Sequence, residues 1–282
     1  SDGSSSTRRR VRHCAMIVPS SGRTAMAFVT APDESGALGS IDAQVDEVAS
    51  CLRAAVAWVR EEAVDRVHLL QALPGPDDHL IIDACERAGF TRLGGLIYLS
   101  GRVPSGAEMA CGGVAMLGNR ASALPEGFSI RTVRSGESGF EADRPMLLRV
   151  LDRSYEQTLD CPELCGLRDT ADVLESHQMT GAFDASLWFV ALRGDEPVGC
   201  ALYSLARSGH SIELVYLGLA PEVRGRGLAA HLLWQGFHAA RLRGIDEMTC
   251  AVDERNVPAI GLYGRSGMFE VARRVALVAG TR

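Results

Sequence analysis

Apolar residues recur along this chain with two different periods, and the switches between them mark its elements. Leu147, Leu148, Leu151 and Tyr155 follow helical spacing and predict a helix over 140–158. A second helix is expected near 170–180. Segments 188–192 and 197–206 alternate around Gly194-Asp195 and predict a hairpin. Residues 213–219 alternate into a tight turn. Leu228, Leu232, Leu233 and Phe237 then return to helical spacing until Gly244 ends the helix. Met248, Cys250 and Val252 alternate as a strand. A short helix follows, with Asn256 near its start, Pro258 in its first turn and Gly267 after its end. Residues 128–133 open this half as a strand, and 271–278 close it. The N-terminal half reads as a helix over 43–62, a strand over 67–71, a helix over 78–88 and a strand over 93–99.

Between the halves, 101–127 is rich in Gly, Ala, Ser and Pro, with Pro104, Gly112-Gly113, Gly118, Pro125 and Gly127. It predicts a connector carrying a short strand near 114–117. The expected division is a disordered tail over 1–13, one domain over 14–100, a linker over 101–127 and a second domain over 128–282. Sliding the second half back by 178 positions lays Gly267 on Gly89 and superposes the helices before them. This reads as a diverged internal repeat. In that register 224–229 falls on Asp46-Glu47-Val48-Ala49-Ser50-Cys51, and Tyr263 on Cys85.

Composition adds constraints. With 46% hydrophobic and 23% charged residues over 282 positions, a packed core is expected rather than disorder. A formal charge of −6 gives no general reason to expect nucleic acid or an anionic membrane as partner. No apolar run reaches the roughly 18–20 residues that span a bilayer. The start of the chain is polar and basic without an apolar stretch, unlike a secretory signal. The eight cysteines are scattered, without a Cys-x-x-Cys pair, and most sit in apolar segments. Reduced thiols in a cytoplasmic protein are expected, with no metal site.

The chemistry concentrates at Arg224-Gly225-Arg226-Gly227-Leu228-Ala229, between a strand and a helix. Glycines let the backbone approach a ligand without a Cβ in the way. The first amides of a helix point at an anion, and the helix dipole favours its charge. Glu213 stands upstream on the strand. A phosphorylated cofactor beside a proton acceptor is the expectation. An ordinary helix entry or an Arg-Gly nucleic-acid patch are the alternatives, the latter needing a wider basic surface. A P-loop is disfavoured, because Leu228-Ala229 follows the last glycine where Lys-Ser/Thr would stand.

These residues resemble the GNAT superfamily of acyl-CoA-dependent N-acetyltransferases. The family's turn, Arg/Gln-x-x-Gly-x-Gly/Ala, is present as Arg224, Gly227 and Ala229. Its Asn-x-x-Ala-x-x-Leu-Tyr-x-x-x-Gly element is present as Asn256, Ala259, Leu262, Tyr263 and Gly267. Met268 stands where the family has an aromatic, with Phe269 next. The resemblance covers 128–282 well and 14–100 faintly. One intact and one degenerate copy is similar to the arrangement in mycothiol synthase-like proteins. It implies an α/β (α+β) class: tandem GNAT-like folds, each a mixed, mostly antiparallel sheet flanked by helices. It also implies acetyl-CoA as cofactor and a small-molecule or peptide amine as acceptor, attacked directly. Glu213 would take the amine's proton and Tyr263 would protonate the leaving thiolate. Arg224, Gly225, Arg226, Gly227, Leu228 and Ala229 would hold the pyrophosphate, mainly by backbone amides. Leu217, Gly218 and Leu219 would pair with the pantetheine arm, and Asn256 would bond to that arm or serve as a helix cap. Asp160, Glu163, Tyr155 and Tyr216 are candidates for the acceptor side, where Asp160 and Glu163 would draw a cationic amine. A non-catalytic acyl-CoA sensor is the alternative reading. The paired presence of Glu213 and Tyr263 favours an enzyme.

Overall fold

A computed structural model describes residues 11–31, 40–112 and 123–281. Most of the expected tail, 1–10, and the expected strand at 114–117 lie outside the described residues. Arg12, at the end of the expected tail, pairs with Glu47 at 2.7 Å. The chain folds into two compact units, one of residues up to Arg92 plus 275–282, the other Leu93–Arg274.

The first unit contains a hairpin that its sequence pattern did not announce: β1 (Ala15–Ser20) and β2 (Thr24–Val29). Helix α1 (Ile41–Glu62) follows, capped by the Ser40 hydroxyl on the Ala43 amide. Its Val45, Val48, Ala49, Leu52, Val56 and Val59 form one buried stripe. Strand β3 (Leu69–Ala72) lies parallel to β2, and helix α2 (His79–Arg87) leads on to β4 (Thr91–Arg102). The stretch equivalent to the glycine turn, Asp46 to Cys51, lies inside α1. Its amides serve the helix, and Asp46 is paired with Arg87 at 2.9 Å.

The second unit continues with β4, the short helix α3 (Gly106–Gly112), β5 (Phe128–Thr132), α4 (Glu137–Tyr155) and α5 (Thr170–Met179). Then come β6 (Trp188–Arg193), β7 (Glu196–Leu205), β8 (Ser211–Leu219), α6 (Leu228–Leu242), β9 (Glu247–Asp253), α7 (Val257–Arg265) and β10 (Phe269–Gly280). Strands β5 to β8 form an antiparallel meander, β9 lies parallel to β8, and β4 lies antiparallel to β9. One core cluster holds Tyr203, Leu214, Phe237, Cys250 and Tyr263 with α6 and α7. Another holds Trp188, Cys200 and Leu202 with Leu147 and Leu151 of α4.

The 178-residue offset is sharp from β3 onward. It lays Thr91–Arg102 on Phe269–Gly280, residue for residue. Gly89 and Gly267 both adopt positive φ, at 92° and 84°, after the helix. Phe90 N–H bonds to Cys85 O and Met268 N–H to Tyr263 O, each at 3.0 Å, the same helix-ending bond in both repeats. The compact units are nevertheless not the linear segments 14–100 and 128–282. The last strand of each repeat serves the other's unit. β4 pairs with β9, while Leu277–Gly280 of β10 pair antiparallel with Ala72–Leu69 of β3. Strand pairing, not chain proximity, decides the boundary.

Candidate active site

Strands β8 and β9 pair only from Ser211–Leu214 to Glu247–Cys250 and then part. The register of β7 on β8 slips at the same place. Leu202 lies opposite Tyr216 and Tyr203 opposite Leu214, so Val215 is an extra residue. Such a bulge bends its strand and leaves the ladder locally open. A notch between β8 and β9 results, with the outer edge of 215–219 unclaimed by β9.

The bulge also decides where Glu213 points. Strict alternation would set Glu213 on the face opposite Tyr216. One inserted residue reverses this. Glu213 lies in one row with Ser204 and Thr249, on the α4 side that Tyr216 also faces. Leu214 and Cys250 face the α6–α7 core, where Tyr263 lies. The carboxylate and the phenol thus sit on opposite faces of the sheet. The Cys250 thiol between them is pushed up to about 12, by burial first and then by the charges of Asp160 and Glu213; burial first, and then Cys250 among other neighbours, raises Tyr263 well above its ordinary value. A base on one side of the notch and an acid on the other is the arrangement needed when a nucleophile enters from one face and a leaving group departs on the other.

Glu213 is half-buried, and burial alone raises its carboxyl above the usual glutamate range. It has no hydrogen-bond partner among the described residues. Tyr263 is buried, and its hydroxyl likewise has no partner there. At neutral pH that phenol holds its proton.

Past the notch, Pro221–Val223 form one 3-10 turn, Gly225 has φ 75°, and Gly227 has φ 84° as the residue before α6. An alanine at either glycine would be strained. The amides of Gly225, Arg226, Gly227, Leu228 and Ala229 make no hydrogen bond to any described residue, and the first bonded amide is Ala230, to Gly227 O. A row of outward amides at a helix start is an anion cradle. A Cβ on Gly225 would meet nothing within 4 Å, so the approach is open.

The two arginines of the turn differ. Arg224 directs Nε to Leu219 O at 3.0 Å, and its terminal nitrogens to the carbonyls of Gln157, Ser154 and Glu156 at 2.9, 3.1 and 2.7 Å. Its guanidinium is spent tying the turn to the carbonyl end of α4, where the helix dipole also favours a cation. Arg224 therefore supplies no charge to a phosphate. Arg226 is exposed without a partner among the described residues.

Other expected residues also have local roles. Asn256 caps α7, accepting from Ala259 N–H at 3.3 Å. Gly218 is glycine because protein, not ligand, crowds it. A Cβ there would lie 2.8 Å from Ser154 Cβ and overlap the Tyr216 ring. Leu217 packs against the α6–α7 core and Leu219 is within it. Tyr155 and Tyr216 meet at 5.5 Å between centroids with their rings tilted by 60°, His177 stacks on Tyr216 at 5.4 Å, and Tyr216 shares a 2.7 Å hydrogen bond with Ser154. Glu163 is held by both terminal nitrogens of Arg255, at 2.6 and 2.9 Å, which removes it as a free anion for an acceptor. Asp160 accepts the Asp253 amide at 3.0 Å. Tyr98 of β4 faces the same side as Glu213, since it lies opposite Ala251 two places beyond the row of Ser100 and Thr249. Burial raises its phenol, offset by Arg274 and reinforced by Glu213. Tyr98 escaped the sequence reading because it comes from the other repeat.

No helix among the described residues is long and apolar enough to cross a membrane. No group of three metal-ligating side chains is found among them. Cys161 is not helical but has φ 45°, with its amide on Asp253 at 3.0 Å.

Residues 152–268, within the second unit, match the model of the acetyltransferase (GNAT) family. The chain is similar to the mycothiol acetyltransferase of Streptomyces bingchenggensis, 32% identical over 144 residues, 51% of this chain and 44% of that protein. It is also similar to that of Geodermatophilus obscurus, 32% identical over 149 residues, 51% of this chain and 45% of that protein. The match thus spans somewhat under half the length of these relatives. In fold it is similar to a GCN5-related N-acetyltransferase from Sphaerobacter thermophilus, with TM-score 0.62 and 16% identity over 96% of this chain and 77% of that one. A tandem GNAT protein from the clavulanic acid biosynthesis pathway gives 0.55 and 14%, covering 92% and 76%. At these identities the likeness shows the fold: two GNAT-like halves built on mixed sheets flanked by helices.

Proposed function

We propose that the second unit transfers an acetyl group from acetyl-CoA to a primary amine by direct attack. The observation that carries this is the row of five unbonded amides, Gly225 to Ala229, next to a notch with Glu213 on one face and Tyr263 on the other. The cradle fits a pyrophosphate: it is open, and glycine is required at two of its positions. Arg226 adds the one cation of the turn with no partner among the described residues. The free edge of Leu217 to Leu219 suits an extended amide chain added beside the sheet. Acetyl-CoA, when bound, supplies an activated thioester carbonyl. Acetyl transfer is the activity in the relatives' names, and it comes to this chain as part of the proposal.

Glu213 accepts one proton from the ammonium, because a protonated nitrogen has no lone pair. The C–N bond forms and the C–S bond breaks. The nitrogen's second proton passes to water, the departing sulfur gains one from the Tyr263 hydroxyl, directly or through water, and the proton held by Glu213 returns through water to the Tyr263 oxygen. Net, one proton is released.

The test is free-thiol release from acetyl-CoA against a panel of primary amines, with Glu213→Gln alongside. Turnover that the variant loses by 100-fold or more, at unchanged cofactor affinity by calorimetry, is expected. Cofactor binding without turnover of any amine would move the function to an acyl-CoA sensor. Absence of binding would remove the proposal.

A further inference from the structure

Two strained residues bracket one short stretch of the second unit. Among the described residues, only Arg23, Gln157 and Cys161 are non-glycine residues at positive φ. Gln157 and Cys161 stand four places apart, at 53° and 45°. Such backbone is unfavourable and persists where its surroundings impose it. Here each strained residue is gripped from one strand of the notch.

On the β8 side, Arg224 takes Leu219 O with Nε at 3.0 Å. Its terminal nitrogens take the carbonyls of Ser154, Glu156 and Gln157 at 3.1, 2.7 and 2.9 Å. Tyr216 of β8 adds a 2.7 Å hydrogen bond to Ser154 Oγ. The end of α4 is thereby fastened to β8. On the β9 side, the Glu254 amide points toward β4 and bonds to Gly95 O at 2.9 Å. Amides alternate along a strand, so the Asp253 amide points the other way, into the notch. Asp160 Oδ1 accepts it at 3.0 Å, and Asp253 Oδ2 accepts the Cys161 amide at 3.0 Å. Arg255 grips Asp253 with Nε and Nη2 at 3.0 and 2.6 Å, and Glu163 with Nη1 and Nη2 at 2.6 and 2.9 Å. Burial alone would raise the Asp253 carboxyl, but Arg255 and the amides of Arg255 and Cys161 hold it below the ordinary aspartate range.

The last rung joining β8 to β9 is Leu214 with Cys250. Both grips lie beyond it, at Leu219 and at Asp253. Residues 157–161 run from one grip to the other, across the opening. Reach decides what this opening admits. One extended chain between two strands sets them about 10 Å apart, twice the interstrand spacing of about 4.8 Å, and two chains would need about 14 Å or more. Four residues span at most about 13–14 Å, and less when bent at both ends.

Resting on the acetyltransferase reading above, we infer that residues 157–161 form a crossbar that fixes the β8–β9 opening to the width of one extended cofactor arm, and that Asp253 and Arg255 are positioning residues that hold it. Neither touches the reacting atoms. They act by holding the arm, and so the thioester, in line with Glu213. The pyrophosphate cradle, at 225–229, lies outside the crossbar.

Inserting one glycine between Thr158 and Leu159 lengthens the crossbar by about 3.3 Å and leaves every anchor in place. Calorimetry then compares acetyl-CoA with adenosine diphosphate, which carries the pyrophosphate without the arm. Acetyl-CoA should weaken about fivefold and adenosine diphosphate not at all, while kcat for the best amine falls about tenfold. Arg255→Ala, at an exposed side chain, should act in the same direction with little change in Tm, and it decides if the insertion variant fails to fold. Wild-type kcat and acetyl-CoA affinity in the folded variant overturn the inference and leave the acetyltransferase reading standing. Equal weakening of both ligands also overturns it, because the segment then acts on the cradle. Should no amine turn over, the ratio of the two affinities decides. A wild-type protein that binds no acetyl-CoA removes the acetyltransferase reading itself, and the crossbar assignment with it.

Discussion

Replacing Arg224 by alanine separates two meanings of an arginine beside a phosphate turn. The side chain makes four hydrogen bonds of 2.7–3.1 Å to carbonyls. Those to Gln157 and Glu156 are exposed, and water replaces them at almost no cost. Those to Leu219 and Ser154 are partly buried. Hydrogen bonds to a charged group contribute about 1.5 kcal/mol or somewhat less in such settings, so Arg224→Ala should destabilise by about 2–3 kcal/mol. For a domain of this size that is about 5–10 °C in Tm. Arg226→Ala breaks nothing in the fold and should melt with wild type. It should weaken acetyl-CoA by about three- to fivefold, an effect that fades as salt rises. Calorimetry of unfolding and of cofactor binding, on both variants at two ionic strengths, reads this out. If Arg224→Ala melts like wild type and loses cofactor affinity in the salt-dependent way, the assignment of the two arginines is reversed and the latch to α4 is not what holds the turn.

Further outcomes follow from other sites. Glu213→Gln should lower kcat/KM by about 10²–10⁴ and abolish the acid limb of its pH profile, a limb that in wild type lies above the ordinary glutamate range. His177 is pushed down to about 4 by burial and by Arg168, below the 6.5 of an unfolded histidine. Because the unfolded chain binds the extra proton, stability is full above pH 6.5 and drains away as pH falls toward 4, by up to about 3 kcal/mol. Denaturant midpoints from pH 7 to 4 should show this, and His177→Phe should flatten the slope. Gly236→Ala would gain about 1 kcal/mol of helix propensity in α6. Yet its Cβ would overlap the ring of Tyr203, which is fully buried and anchored by its hydroxyl to Leu232 O at 3.1 Å. Overpacking should win, and the variant should melt below wild type by about 1–3 kcal/mol net.

What the sequence determined by itself is what short-range physics controls. Gly225 and Gly227 announce positive φ, and Asn256, Pro258 and Gly267 punctuate α7. Periodicity placed β8, α6, β9 and both repeat ends within a few residues. The 178-residue offset is legible for the same reason, since capping and alternation repeat wherever the local problem repeats. The hairpin β1–β2 was missed because its faces do not differ enough to alternate: Met16 and Phe28 are both exposed across from one another. Only the tertiary structure decided the rest. The bulge at Val215 depends on which β7 residue lies opposite, and it moves Glu213 to the other face of the sheet. Arg224 reads as a phosphate ligand until α4 brings four carbonyls to it. Glu163 reads as a free anion until Arg255, ninety-two positions away, takes it. Tyr98 enters the second unit because β4 pairs with β9 rather than within its own repeat. Local sequence limits backbone angles and patterns of burial. Which partner satisfies a charge, and which strand completes a sheet, are settled by groups far along the chain whose desolvation and pairing compete only once the fold has closed.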